Sequence, residues 1–268
     1  MGAFAERLAR GERPRWIERT EYCGRLLAGG DIPWADVGGF ISWQRQAEGL
    51  IKSDVTVFPL ADFCAAWITA HPELGEAMRQ KSRTLHALKT MLADEAMRRH
   101  IGECLSALGD AKGSRMLVLA MPSPGDWIGT ARAQAGAGPA SDIGIEEMET
   151  AAMYMADFLR AFAETKLDAL LLEESETPGD AAVYQPVLNL AGHYNWDVGL
   201  LSDGAKKANG IAFVIAAEGV PGVPTGIAQS DAFWSGAAVA PCGADGFIYA
   251  RVPAACAPET VLERLAAI

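Results

Sequence analysis

Short unbroken apolar runs alternate along the chain with longer stretches whose apolar residues recur at every third or fourth position. The clearest run lies within 167–176, where Ala169, Leu170, Leu171 and Leu172 stop abruptly at Glu173, Glu174 and Glu176. A strand with no polar alternation is one buried on both faces, as in a parallel sheet clothed by helices. Upstream, Met148, Ala151, Ala152, Met155, Phe158, Leu159 and Phe162 form a core-facing stripe that predicts a helix over 144–166. Downstream, the turn signal Thr177-Pro178-Gly179-Asp180 leads into a helix predicted over 180–194.

Other apolar runs predict strands at 55–59, 114–120, 197–201, 211–217, 239–241 and 247–252. Between them, helical spacing covers 36–52, 60–70, 73–109 and 126–135, with a short helix in 227–236 and a last one at 258–267, opened by Pro258. Residues 136–142 and 219–226 read as loops, and 1–35 as a polar, arginine-rich arm broken by Gly29, Gly30 and Pro33. Two prolines at 122 and 124 are expected to end the strand at 114–120 before them. No repeat or linker divides the chain, which predicts one domain over 1–268. Alternating strands and helices predict an α/β fold, a (β/α)8 barrel with a degenerate first strand. Such a barrel typically needs ~250 residues, and the chain has 268. The rival, an open doubly wound sheet, lacks its glycine-rich first turn.

Composition narrows the partners. Half the residues are hydrophobic and the net charge is −11, which argues against nucleic acid, whose phosphates need clustered Lys and Arg. The same charge gives no attraction to anionic membranes, and no apolar run approaches the ~20 residues that cross a bilayer. The charged N-terminal stretch lacks the apolar segment of an export signal, so a cytoplasmic protein is expected. Five scattered cysteines without a CxxC pair and four dispersed histidines predict reduced thiols and no metal cage. The expected partner is a small molecule, and a homodimer is compatible with this reading.

Barrels carry their chemistry at the C-terminal tips of the strands. Asp62, Ser123, Asp126, Trp127, Glu173, Glu174, Glu176, Ser202, Asp203, Glu218 and Cys242 fall at or just beyond predicted tips. Carboxylates converging in a sheltered mouth raise one another's pKa, which suits acid–base work; a solvated or helix-capping acid is the plain alternative for each. Glu173, Glu174, Asp203 and His193 are the catalytic candidates. Arg19, Arg25, Ser123, Asp126, Trp127 and Ser202 are the substrate-binding candidates, the arginines by bidentate pairing with carboxylates. No GxSxG elbow and no GxxxxGK[ST] loop occurs.

The order of pieces over 114–218 resembles the barrel superfamily that includes uroporphyrinogen decarboxylase and cobalamin-independent methionine synthase. The strand running into Met121-Pro122-Ser123-Pro124, the strand ending in Glu173-Glu174, and the unit from Tyr184-Gln185-Pro186 to Ser202-Asp203-Gly204 carry the resemblance. The synthase branch implies a zinc-activated thiol, with ligands from a His-x-Cys pair, a glutamate and a late cysteine. Pro241-Cys242-Gly243 is similar to the late cysteine motif, but Leu200-Leu201-Ser202 offers neither His nor Cys, so zinc is not expected. The decarboxylase branch implies a cofactor-free lyase holding substrate carboxylates with early arginines. The opening Arg13-Pro14-Arg15-Trp16-Ile17-Glu18-Arg19, followed by Gly24-Arg25, resembles that branch. The leading expectation is therefore a cofactor-free, decarboxylase-like lyase acting on a small carboxylated or aromatic substrate. A methyltransferase of the methionine-synthase type and a non-catalytic binding protein on the same barrel stay open.

Overall fold

Eight parallel strands share one sheet that curls until its two edges meet. They are β1 (Arg15–Glu18), β2 (Val55–Pro59), β3 (Met116–Pro122), β4 (Ala169–Glu173), β5 (Asp197–Leu201), β6 (Phe213–Ala216), β7 (Thr225–Ala228) and β8 (Phe247–Arg251). Each pairs with its successor from β2 to β8, and β8 pairs with β1. With helices threaded between strands, this is the (β/α)8 barrel. The computed structural model describes residues 2–136, 138, 143–175, 181–204, 207–243 and 246–268. Glu176, the turn 177–180 and most of the loop 136–142 lie outside them. No helix among the described residues is long and apolar enough to cross a membrane.

The N-terminal segment is part of the barrel and not an arm: helix Ala3–Ala9, β1 and helix Thr20–Ala28 occupy it. β1 escapes notice in the sequence because only Trp16 and Ile17 of its four residues are apolar, one for each face. The stretch expected as one helix over 73–109 is three: Pro72–Arg79, His86–Leu92 and Glu95–Ala111. Asp94 starts the last by accepting from the Met97 amide at 2.6 Å. Residues 239–241 form no strand, while β7 begins inside the stretch expected as loop. β3 runs on through Pro122. The next residue, Ser123, donates its amide to Glu173 of β4. By alternation, Pro122's missing donor faces β2, whose pairing with β3 has already ended at Pro59.

Aromatic rings fill the interior. Trp16, Phe213, Phe247 and Tyr249 point inward, and Phe4 from helix Ala3–Ala9 enters from the N-terminal end of the strands. Phe4 lies 4.4 Å from Phe213 and 5.2 Å from Phe247, centroid to centroid. The helix is fixed by Asp197 at the foot of β5, whose carboxylate accepts from the Gly2 and Ala5 amides at 3.0 and 2.9 Å. The rings fit because two strands carry no side chain beside them. A Cβ on Gly199 would stand 2.1 Å from the Phe213 ring, and one on Gly226 2.5 Å from the Phe247 ring.

The edge between β1 and β2 closes differently from the others. No ladder joins these strands. Instead the Asp54 amide donates to Arg15 O at 2.9 Å, the Ile17 amide donates to Ser53 Oγ at 3.0 Å, and the Arg15 amide donates to Asp54 Oδ2 at 2.7 Å. The outer shell is uneven as well. Four helices separate β2 from β3, whereas among the described residues none lies between β5 and β6 or between β6 and β7.

Gly199→Ala forces the Phe213 ring out of a filled interior and is expected to cost about 1–3 kcal/mol. Urea unfolding measures the loss, and combining it with Phe213→Leu restores part of the stability.

Candidate functional site

Side chains two residues apart on a strand share a face, and this rule selects the polar groups of the barrel mouth. Glu18 follows Trp16, Glu173 follows Leu171, and Arg251 follows Tyr249; each predecessor packs inside the barrel. Glu18 and Arg251 are direct neighbours in register on β1 and β8. Arg251 reaches across the mouth, with Nη2 2.9 Å from Glu173 Oε1 and Nε 3.8 Å from Glu18 Oε2. Glu18 is fixed further by the Thr20 amide, 2.9 Å from its Oε1. Asp62, in the first turn of helix Leu60–Ala70, borders the same hollow. The hollow holds about 100 Å3 above Val57, Pro59 and Ala120, roughly the share of three waters in the liquid.

Four carboxyls, those of Glu18, Glu21, Asp62 and Glu173, therefore line a hollow that holds one guanidinium. Side-chain exposure rises from 12 % for Glu18 through 33 % for Glu173 to 52 % for Arg251, and Asp62 is exposed as well, so a ligand meets the cation and a carboxyl together at the entrance. Loss of water pushes the Glu173 carboxyl up; Arg251 opposes this, and Glu18 and Asp62 add to it. Asp62 is raised too, by desolvation and then by Glu18 and Glu21. Burial works against the charge of Arg251, but Tyr249, Glu173 and Glu18 outweigh it, and the guanidinium holds its proton more firmly than usual. Tyr249 is buried in the top interior layer and raised by that burial. The arrangement can grip an anion on Arg251 and hand over or accept a proton at Glu173 or Asp62.

Of the catalytic candidates, only Glu173 stands in this cluster. Glu174 has the opposite parity and is buried between the barrel and its shell, where its carboxylate accepts from the Tyr184 hydroxyl. Asp203 lies exposed beyond β5, bordering a separate surface hollow with Lys207 and Glu218. His193 is exposed in the last turn of helix Gln185–Tyr194, at the end of the barrel where β5 begins, with its ring 4.9 Å from Tyr194. The convergence of Glu173, Glu174 and Asp203 is thus not found.

The substrate-binding candidates divide similarly. Arg19 shares the outward face of Ile17; it is buried, with Nη2 3.9 Å from Glu48, and burial lowers its pKa. Arg25 is exposed in the last turn of helix Thr20–Ala28. Trp127 is fully buried in the helix layer, edge-on to Phe158 at 6.0 Å. Ser202 is buried on the outer face, its hydroxyl without a hydrogen-bond partner among the described residues. Ser123 and Asp126 are at the rim and act as a clasp. Ser123 Oγ donates to Asp126 Oδ2 at 2.6 Å, and Asp126 accepts from the Ser175 amide at 2.9 Å, tying the end of β4 to helix Pro124–Gln134. Cys242 lies beside Gly246 at the foot of β8, away from the mouth. Arg251, Glu18 and Tyr249 are not among the sequence candidates; the two-residue step from an interior aromatic is the signal that marks them.

No protein-family model, curated protein or solved structure matches the chain. Fold and site together define a parallel barrel with a carboxylate-rich, arginine-bridged mouth. Among the described residues no three His, Cys, Asp or Glu side chains gather as a metal ion would need.

The raised carboxyl of Glu173 has a consequence for stability. Above the ordinary value of 4.5 the folded chain holds this proton more readily than the unfolded one, so stability falls as pH rises through the elevated value. Urea midpoints of the wild type are expected to drop relative to Glu173→Gln from pH 4.5 upward, and the difference is expected to level off below it. A gap that does not change with pH contradicts the assignment.

Proposed function

We propose that the protein is a cofactor-free lyase of the decarboxylase kind, acting on a small carboxylated or aromatic substrate at the barrel mouth. The observation that carries this reading is Glu173, a carboxyl raised by loss of water and 2.9 Å from the exposed guanidinium of Arg251. Arg251 anchors one anionic group of the substrate, displacing Glu173 from its fork. A second carboxylate rests against the apolar floor of Val57 and Ala120, where a charge is poorly solvated and its loss as carbon dioxide is favoured. The C–C bond breaks with its electron pair left on the substrate carbon, and protonated Glu173 or Asp62 delivers the proton there. Glu18 keeps Arg251 oriented throughout.

The resemblance to the uroporphyrinogen decarboxylase branch agrees with this chemistry, though Arg251 takes the part expected of the early arginines. Methyl transfer of the methionine-synthase kind draws no support from Cys242, which lies at the other end of the barrel. The small hollow favours compact substrates over anything of porphyrinogen size.

Isothermal titration with malonate and with aryl carboxylates, followed by assay of carbon dioxide release in deuterated water, tests the reading. Binding is expected to weaken roughly tenfold or more in Arg251→Gln, the loss of one charge-assisted pair. Deuterium incorporation is expected to stop in the double variant Glu173→Gln, Asp62→Asn while binding persists. Carboxylate binding that ignores Arg251→Gln refutes the site. Binding without any carbon dioxide release across the panel leaves a binding protein and refutes the lyase.

A further inference from the structure

Outside the barrel, in the four-helix crossover between β2 and β3, lies a cavity of about 1000 Å3. This is the upper end of the size range of small-molecule sites, ~300–1000 Å3, and ten times the volume of the mouth. Helices Pro72–Arg79 and His86–Leu92 wall it on one side, and Glu147 and Tyr154 of helix Ile145–Leu159 on the other. Leu74, Ala77 and Leu85 supply apolar surface.

Its charges set it apart. Lys81, Arg83 and Lys89 all line the cavity and all are exposed. Among the described residues none of the three has a carboxylate partner. Three cations without an ion-pair partner thus share one concavity with three acids, Glu73, Asp94 and Glu147, in a chain of net charge −11. Two of the three acids in the lining are already committed to backbone amides: Asp94 accepts from Met97 at 2.6 Å and Glu147 from Gly144 at 3.0 Å. The third, Glu73, occupies the first turn of its own helix, where it offsets the helix dipole. Lys89 stands 5.3 Å from the centroid of the Tyr154 ring, which gives the cavity an aromatic wall beside a cation.

We propose that this cavity is a second ligand site, distinct from the mouth, for a small organic anion with an aromatic or otherwise apolar body. The anionic group pairs with Arg83 and the two lysines, and the body lies against Tyr154, Leu74 and Leu85. None of these residues belongs to the mouth cluster, so the two sites stand or fall separately.

Fluorescence titration of the full chain with anilinonaphthalene sulfonate tests the site, with the uncharged phenylnaphthylamine as the neutral counterpart. Saturable binding of one probe per chain is expected, weakening as salt rises. Arg83→Glu and Lys89→Glu, both on exposed side chains, are each expected to weaken it roughly tenfold or more. Arg251→Gln is expected to leave it intact. Equal binding of phenylnaphthylamine overturns the proposal, as does indifference to the charge reversals, loss on Arg251→Gln or absence of saturation. Thermal melting of each variant confirms that it is folded, and the salt dependence and the neutral probe decide between the outcomes on the wild type alone.

Discussion

Filling a ring of eight strands from within is the constraint on which this molecule depends, and it is met by rings set against gaps. Phe213 and Phe247 occupy space that Gly199 and Gly226 leave empty, and Trp16, Tyr249 and Phe4 close around them. A core this full leaves no room for a deep ligand pocket. Polar groups are displaced to the one layer above the aromatics, where Glu18, Glu173 and Arg251 meet. The position of the candidate chemistry therefore follows from packing: the mouth is polar because the interior beneath it is full.

Crowding also explains the electrostatics. Four carboxyls and one guanidinium share a rim narrow enough for Arg251 to touch both Glu18 and Glu173. The cation cannot neutralise every carboxyl, and the imbalance, together with desolvation, raises Glu173 and Asp62. Acid–base capacity and anion capture are thus two aspects of one cluster. The cavity between the helices differs, with Lys81, Arg83 and Lys89 unpaired among the described residues although Glu73, Asp94 and Glu147 line it too.

Much of the fold was legible in the sequence. The runs at 55–59, 169–172 and 197–201 carry enough branched or leucine-rich surface to declare themselves as doubly buried strands. β1 and β7 do not. RWIE divides its apolar residues between faces, and TGIA has a glycine where a neighbouring ring needs room. The site was legible only in part. Glu173 and Glu174 look equivalent as adjacent acids at a strand tip, yet one faces the mouth and the other Tyr184. Parity along the strand separates them, but only once the inward face is known, and that face is fixed by contacts such as Trp16 with Phe247, more than 200 positions apart in the chain. Arg251 does not stand out, because a lone arginine after a late strand has no local signature.

A ring laddered everywhere except at one edge has a line of least resistance. Between β1 and β2 the closure rests on Ser53, Asp54 and a few backbone groups, with no ladder to spread the load. Breaking those few bonds would part the cylinder there before anywhere else. The strands on either side of that line are the ones that carry Glu18 and lead to Asp62. The width of the mouth is therefore set by those few bonds, since they hold the strand that carries Glu18 against the strand that leads to Asp62.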